Sequence, residues 1–78
     1  MRRLYKIKKK SIKLEDVNPG TLFVFDNQLH FKTAFESDEG AVEAYTAETG
    51  MFFWGNVDTV IEQRNLMVNV LTFYEIPD

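Results

Sequence analysis

Cysteine is absent, histidine occurs once, and no apolar run approaches the roughly 18 residues that a membrane span needs. Each absence closes a route. Without cysteine there is no disulfide, no thiolate metal site and no cysteine nucleophile. His30 alone cannot build a multi-histidine zinc site. The N-terminus is positively charged but no apolar segment follows it, so it does not read as a secretory signal. Gly20, Gly40, Gly50 and Gly55 stand singly in turns and form neither a P-loop nor a dinucleotide fingerprint. Residues 37–40 lack the oxygen-ligand spacing of a calcium loop. Neither a cofactor nor a metal is expected.

Basic side chains are scarce over most of the chain. Residues 1–13 hold seven of the nine, namely Arg2, Arg3, Lys6, Lys8, Lys9, Lys10 and Lys13, and no acid, a charge of +7. Residues 14–78 hold all twelve acids against Lys32 and Arg64, a charge of −10, so the net −3 hides two opposed fields. A chain of 78 residues buries a modest share of its surface and needs a dense core. Aromatic residues, 14% of the total, supply that density, because each buried ring removes much apolar area from water.

Turn residues divide the chain about every ten positions, the rhythm of a small antiparallel β fold. Pro19-Gly20 has the signature of a type II turn. Strands are predicted over 21–26, 29–35, 41–46, 51–54 and 65–76, with residues 57–63 read as one or two helical turns capped by Asn56 or Asp58. Within 29–35, Leu29, Phe31, Thr33 and Phe35 point one way, and His30, Lys32 and Ala34 the other. This predicts a half-buried strand with His30 at the surface or an edge. The expected fold is all-β, a small closed or half-closed antiparallel SH3-like barrel of five to six strands, with an OB-like barrel as second choice. Residues 1–13 form a basic N-terminal arm or edge strand, and residues 14–78 a single barrel domain.

The motifs Pro19-Gly20-x-Leu22-Phe23, Lys32-Thr33, Gly40 through Tyr45 and Phe53-Trp54-Gly55 resemble those of small, mostly uncharacterised proteins of tailed bacteriophages. The likeness covers residues 14–56. It implies a phage-like origin and a compact β fold, and it carries no activity with it; the expected location is the host cytoplasm.

Candidate functions follow from charge and aromatics. No nucleophile–base pair is placed in the sequence, so no catalytic residue is assigned and an enzyme is not expected. Met51-Phe52-Phe53-Trp54 would put aromatic rings on both faces of a strand, and one pair must find cover outside a single barrel interior. Phe52 and Trp54, with the acids Asp38, Glu39 and Glu43, therefore mark a contact for a host or phage protein that this chain inhibits or redirects. Residues 22–25 are apolar on both faces, Phe23 and Phe25 against Leu22 and Val24, and this also allows a homodimer. The alternative is anion binding through Arg2, Arg3, Lys6, Lys8, Lys9, Lys10 and Lys32. Nucleic acid would bind along the arm, or a small anionic nucleotide would be held by Lys32 and aromatic faces. No membrane partner is expected.

Overall fold

A computed structural model describes the backbone of residues 4–76 and the side chains of residues 6–73. Five strands, β1 (Leu4–Lys13), β2 (Leu22–Phe25), β3 (Gln28–Glu36), β4 (Val42–Thr46) and β5 (Met67–Ile76), form one antiparallel sheet in the order β1-β5-β2-β3-β4. The fold is all-β. The sheet is barrel-like but open, with β1 and β4 as its edges.

Local chemistry accounts for the turns. Asn18 O accepts from Thr21 N at 3.2 Å across Pro19-Gly20, with Gly20 at φ +81°, as a type II turn requires. Asp26 and Asn27 both take positive φ, 51° and 61°, and join β2 to β3 with Phe25 opposite Gln28. That is a type I′ hairpin, built without glycine because short polar side chains tolerate the left-handed region. The helix α1 (Val60–Arg64) starts at Thr59, not at Asn56 or Asp58 as predicted. Thr59 Oγ1 accepts from Glu62 N at 3.1 Å and donates to Glu62 Oε1 at 2.9 Å, a capping arrangement in which threonine and glutamate are three residues apart.

The predicted strand 51–54 is not one. Phe52 makes a single bridge to Tyr45. Gly55 and Asn56, at φ 74° and 58°, then turn the chain away toward α1. A Cβ on Gly55 would sit 2.0 Å from Leu66 Cδ1, so glycine is needed where this loop crosses Leu66. The vacancy beside β4 is filled instead by Gln63, which has no solvent exposure. Its amide accepts from Val42 N at 2.9 Å and donates to Val42 O at 2.8 Å and Phe53 O at 3.0 Å, acting as a stand-in peptide group.

The core is Leu14, Val17, Phe23, Val42, Ala44, Phe53, Val68 and Val70, flanked by Ile12, Phe25 and Leu66. Burial of β3 is the reverse of the prediction. His30 and Lys32 point inward, while Leu29, Phe31 and Phe35 are exposed. The neighbours decide this: His30 lies between Phe23 and Thr46, and Lys32 lies beside the small Ala44.

β1 pairs with β5 along its whole length, from Leu4↔Ile76 to Lys13↔Met67. β2 reaches β5 only at Phe23↔Val70 and Val24↔Asn69. The remainder of β1 and β5 therefore extends as a two-stranded ribbon, and the molecule measures 48 × 22 × 22 Å. Lysines on this edge discourage pairing with another strand.

Candidate functional site

The register places Leu22 beside Phe31, Val24 beside Leu29, Phe31 beside Tyr45, and Tyr45 beside Phe52, all on the outer face of the sheet. Their rings form a continuous series. Phe31 and Tyr45 have centroids 5.9 Å apart, Tyr45 and Phe52 5.9 Å, and Phe52 and Trp54 4.7 Å. Phe31 is 40% exposed and Trp54 45%. Tyr45 and Phe52, between them, are half-buried, so the stripe is a contiguous aromatic surface with its two ends open to solvent.

Of the residues singled out from the sequence, Phe52 and Trp54 belong to this stripe, and Glu43 borders it. The Glu43 carboxylate accepts from the hydroxyls of Thr33 and of Tyr45, the latter at 3.0 Å. This bond raises the Tyr45 pKa, since the phenol proton is held by an anion. Asp38 and Glu39 are exposed in the β3–β4 turn, at the Val42 end of β4, while Phe52 and Trp54 lie at its Thr46 end. The acids of this turn and the aromatic pair are thus separated by the length of the strand.

The anion-binding set is dispersed. Arg2 and Arg3 lie outside the described residues. Lys6, Lys8 and Lys10 share one face of β1, opposite Tyr74, Thr72 and Val70, and Lys9 takes the other face opposite Leu71. Lys32 is buried. Its three N–H donors meet the carbonyls of Leu14 at 3.2 Å, Glu15 at 3.0 Å, and Val17. Burial holds its pKa below the ordinary lysine value, opposed by the charges of Asp16 and Glu15. With every donor used inside the protein, Lys32 has none left for an anion.

His30 is also internal, 2% exposed, rather than at a surface or edge. Nε2 lies 3.4 Å from Phe25 O and Nδ1 3.0 Å from Thr46 Oγ1. Because the carbonyl only accepts, Nε2 carries the proton and Nδ1 accepts from the Thr46 hydroxyl. Its ring stacks on Phe23 at 5.2 Å and contacts Phe53 at 4.4 Å. Burial lowers its pKa, so the imidazole is neutral near pH 7.

His30 forms the floor of a cleft of about 370 Å³ at the hairpin end of the sheet. Phe25, Phe52, Phe53 and Trp54 wall it, and Asp26 stands among its lining residues. No cluster of histidine, cysteine or carboxylate suited to a metal exists among the described residues. No described helix is long and apolar enough to cross a membrane.

Phe31, Tyr45 and the cleft were not anticipated as site features. The tempting signal, the greater hydrophobicity of the Leu29/Phe31 face, pointed inward. The contrary signal was the pair of small residues Ala44 and Thr46 on β4, which leaves room inside for Lys32 and His30. Comparison with family models, with curated proteins and with solved structures gives no match. The phage-like resemblance therefore rests on the motifs of residues 14–56 alone.

Proposed function

We propose that this chain is a non-catalytic, phage-like binding protein that engages a host or phage protein and inhibits or redirects it. The contact in this reading is the outer stripe Phe31, Tyr45, Phe52 and Trp54, with Glu43 at its border. The observation that carries it is the unbroken run of rings across β3, β4 and the following loop, exposed at Phe31 and Trp54 and half-buried at Tyr45 and Phe52 between them. Aromatic anchors supply most of the energy in protein interfaces, and each gives a large contact area for few frozen torsions. The burial of Lys32 removes the main support for an anionic-nucleotide sponge.

The test is capture of a partner from bacterial lysate by the tagged protein and by the double variant Phe31→Ser/Trp54→Ala. The expected result is a discrete partner that the variant loses while its amide spectrum keeps the wild-type dispersion. Retention of the partner by the folded variant would refute the stripe as the contact.

One observation favours a second reading. Lys6, Lys8 and Lys10 lie on a single face of β1, Lys6 and Lys8 on the projecting two-stranded ribbon and Lys10 at its base, and such a ribbon fits the major groove of DNA. If the ribbon binds duplex DNA, a mobility shift at low salt should vanish when these three lysines become glutamine, and should weaken steeply as salt rises. No shift by the intact chain at low salt removes this reading.

A further inference from the structure

The cleft beside the aromatic stripe has a composition that selects one kind of ligand group. Its walls are Phe25, Phe52, Phe53 and Trp54, and among the described residues Asp26 is the only lining residue with a formal charge at neutral pH. His30 at the floor contributes no cation. Both its ring nitrogens are engaged, and burial holds it neutral. The cleft thus offers ring faces, a carboxylate and the neutral polar groups of Gln28, Thr49 and Asn56, and no positive group from the described residues. A phosphate or carboxylate would meet only repulsion from Asp26 and no charged donor.

We infer that this cleft receives a basic side chain, an arginine, presented by the protein partner. The assignment rests on the protein-partner reading and names the chemistry of that partner. A cation over an aromatic face is attracted by the ring quadrupole. The planar guanidinium fits best, because it stacks on a ring while its fork of N–H donors reaches a carboxylate. The apolar stem of the side chain would lie along Met51 and Phe52, which also line the cleft. The site is held in place from both sides. Asp26 sits in a two-residue hairpin of defined geometry, and Phe53 is part of the core. At about 370 Å³ the cleft is at the small end of ligand sites, which run from roughly 300 to 1,000 Å³. The −10 charge of residues 14–78 draws a basic partner toward this part of the molecule. The chain's own Lys6, Lys8 and Lys10 do not reach the cleft of the same molecule. Lys6 and Lys8 lie toward the Ile76 end of β5, whereas the hairpin lies toward its Met67 end, and Lys10, opposite Val70, is separated from β3 by β5 and β2.

The test is an amide and indole NMR titration of the isolated, isotope-labelled protein with n-butylguanidinium, n-butanol and n-butyrate at constant ionic strength. Butylguanidinium should shift the Trp54 indole and the amides of Asp26, Phe53, Gly55 and Asn56 in a saturable way. Butanol should bind at least about fivefold more weakly, and Asp26→Asn should weaken butylguanidinium by about fivefold, the value of one close charge contact in water. Asparagine accepts the positive φ of position 26, so this variant keeps the hairpin. Equal binding of butanol and butylguanidinium, unchanged affinity in Asp26→Asn, or shifts confined to other residues would each overturn the assignment. So would dimerisation of the protein in sedimentation that Asp26→Asn abolishes, since the cation would then come from a second copy. The titration needs no partner, so its failure leaves the stripe reading intact. Conversely, loss of a partner by the Phe31→Ser/Trp54→Ala variant together with a failed titration separates the two claims.

Discussion

The two faces of the β3–β4 hairpin differ in an unexpected direction. The inner face carries His30, Lys32, Ala44 and Thr46, while the outer face carries Leu29, Phe31, Phe35 and Tyr45. The more polar set is buried. What makes this stable is that each buried polar atom has a partner; no buried side-chain nitrogen or oxygen among the described residues lacks one. Lys32 closes the carbonyl end of the turn Leu14–Asp16, and His30 bridges Phe25 and Thr46. Polar groups so paired cost little to bury, and they leave the larger rings free for contact. The inner face is therefore the structural one, and the outer face is the one left open to solvent.

The sharpest way to break this comparison is to strip the inner face of its donors. Lys32→Met keeps the apolar stem but leaves three carbonyls without their ammonium. The expected loss is about 3 kcal/mol in urea unfolding, a large part of the stability of so small a domain. The matched outer change, Phe31→Ser, should cost less than about 1 kcal/mol. Equal costs would abolish the distinction between the faces.

Gln63→Leu tests the same logic at the edge of β4. It removes three buried hydrogen bonds with little change of volume. About 2 kcal/mol should be lost in the same assay, and hydrogen exchange at the Val42 amide should rise toward that of an open edge.

His30 gives the inner face a pH dependence. Its pKa is lowered in the folded protein because burial disfavours the charged ring. The unfolded chain takes up the proton near pH 6.5, and the folded one only at lower pH, so stability falls as pH drops through that window. The slope reaches at most about 1.4 kcal/mol per pH unit. Thermal unfolding of the wild type and of His30→Phe between pH 7.5 and 5.5 measures it, and the variant should lose this component.

The smallest effect concerns the ribbon, which has no third strand. Backbone amides of β5 from residue 71 onward should exchange faster than those of Asn69 and Val70, which lie beside β2. Uniform protection along β5 would mean that the ribbon is as well supported as the sheet.

Local chemistry was enough to read much of this architecture. The Pro19-Gly20 turn, the strands from β2 to β5, the helical turn near residue 60 and the two-faced pattern of β5 all follow from residue type and spacing. These depend on backbone preference within a few positions. The basic segment reads from its residues as either an arm or an edge strand, because only the long-range partner β5 makes it a strand. Residues 51–54 have every strand propensity and still make one bridge. The turn at Gly55-Asn56 and the side chain of Gln63 take over the edge of β4. The inward face of β3 was decided farther still from its own sequence. Alternation says that its two faces differ, but not which one meets the core. That choice belongs to Ala44, Thr46 and Phe23 across the sheet, and to the carbonyls of Leu14, Glu15 and Val17, which only the folded chain brings to Lys32.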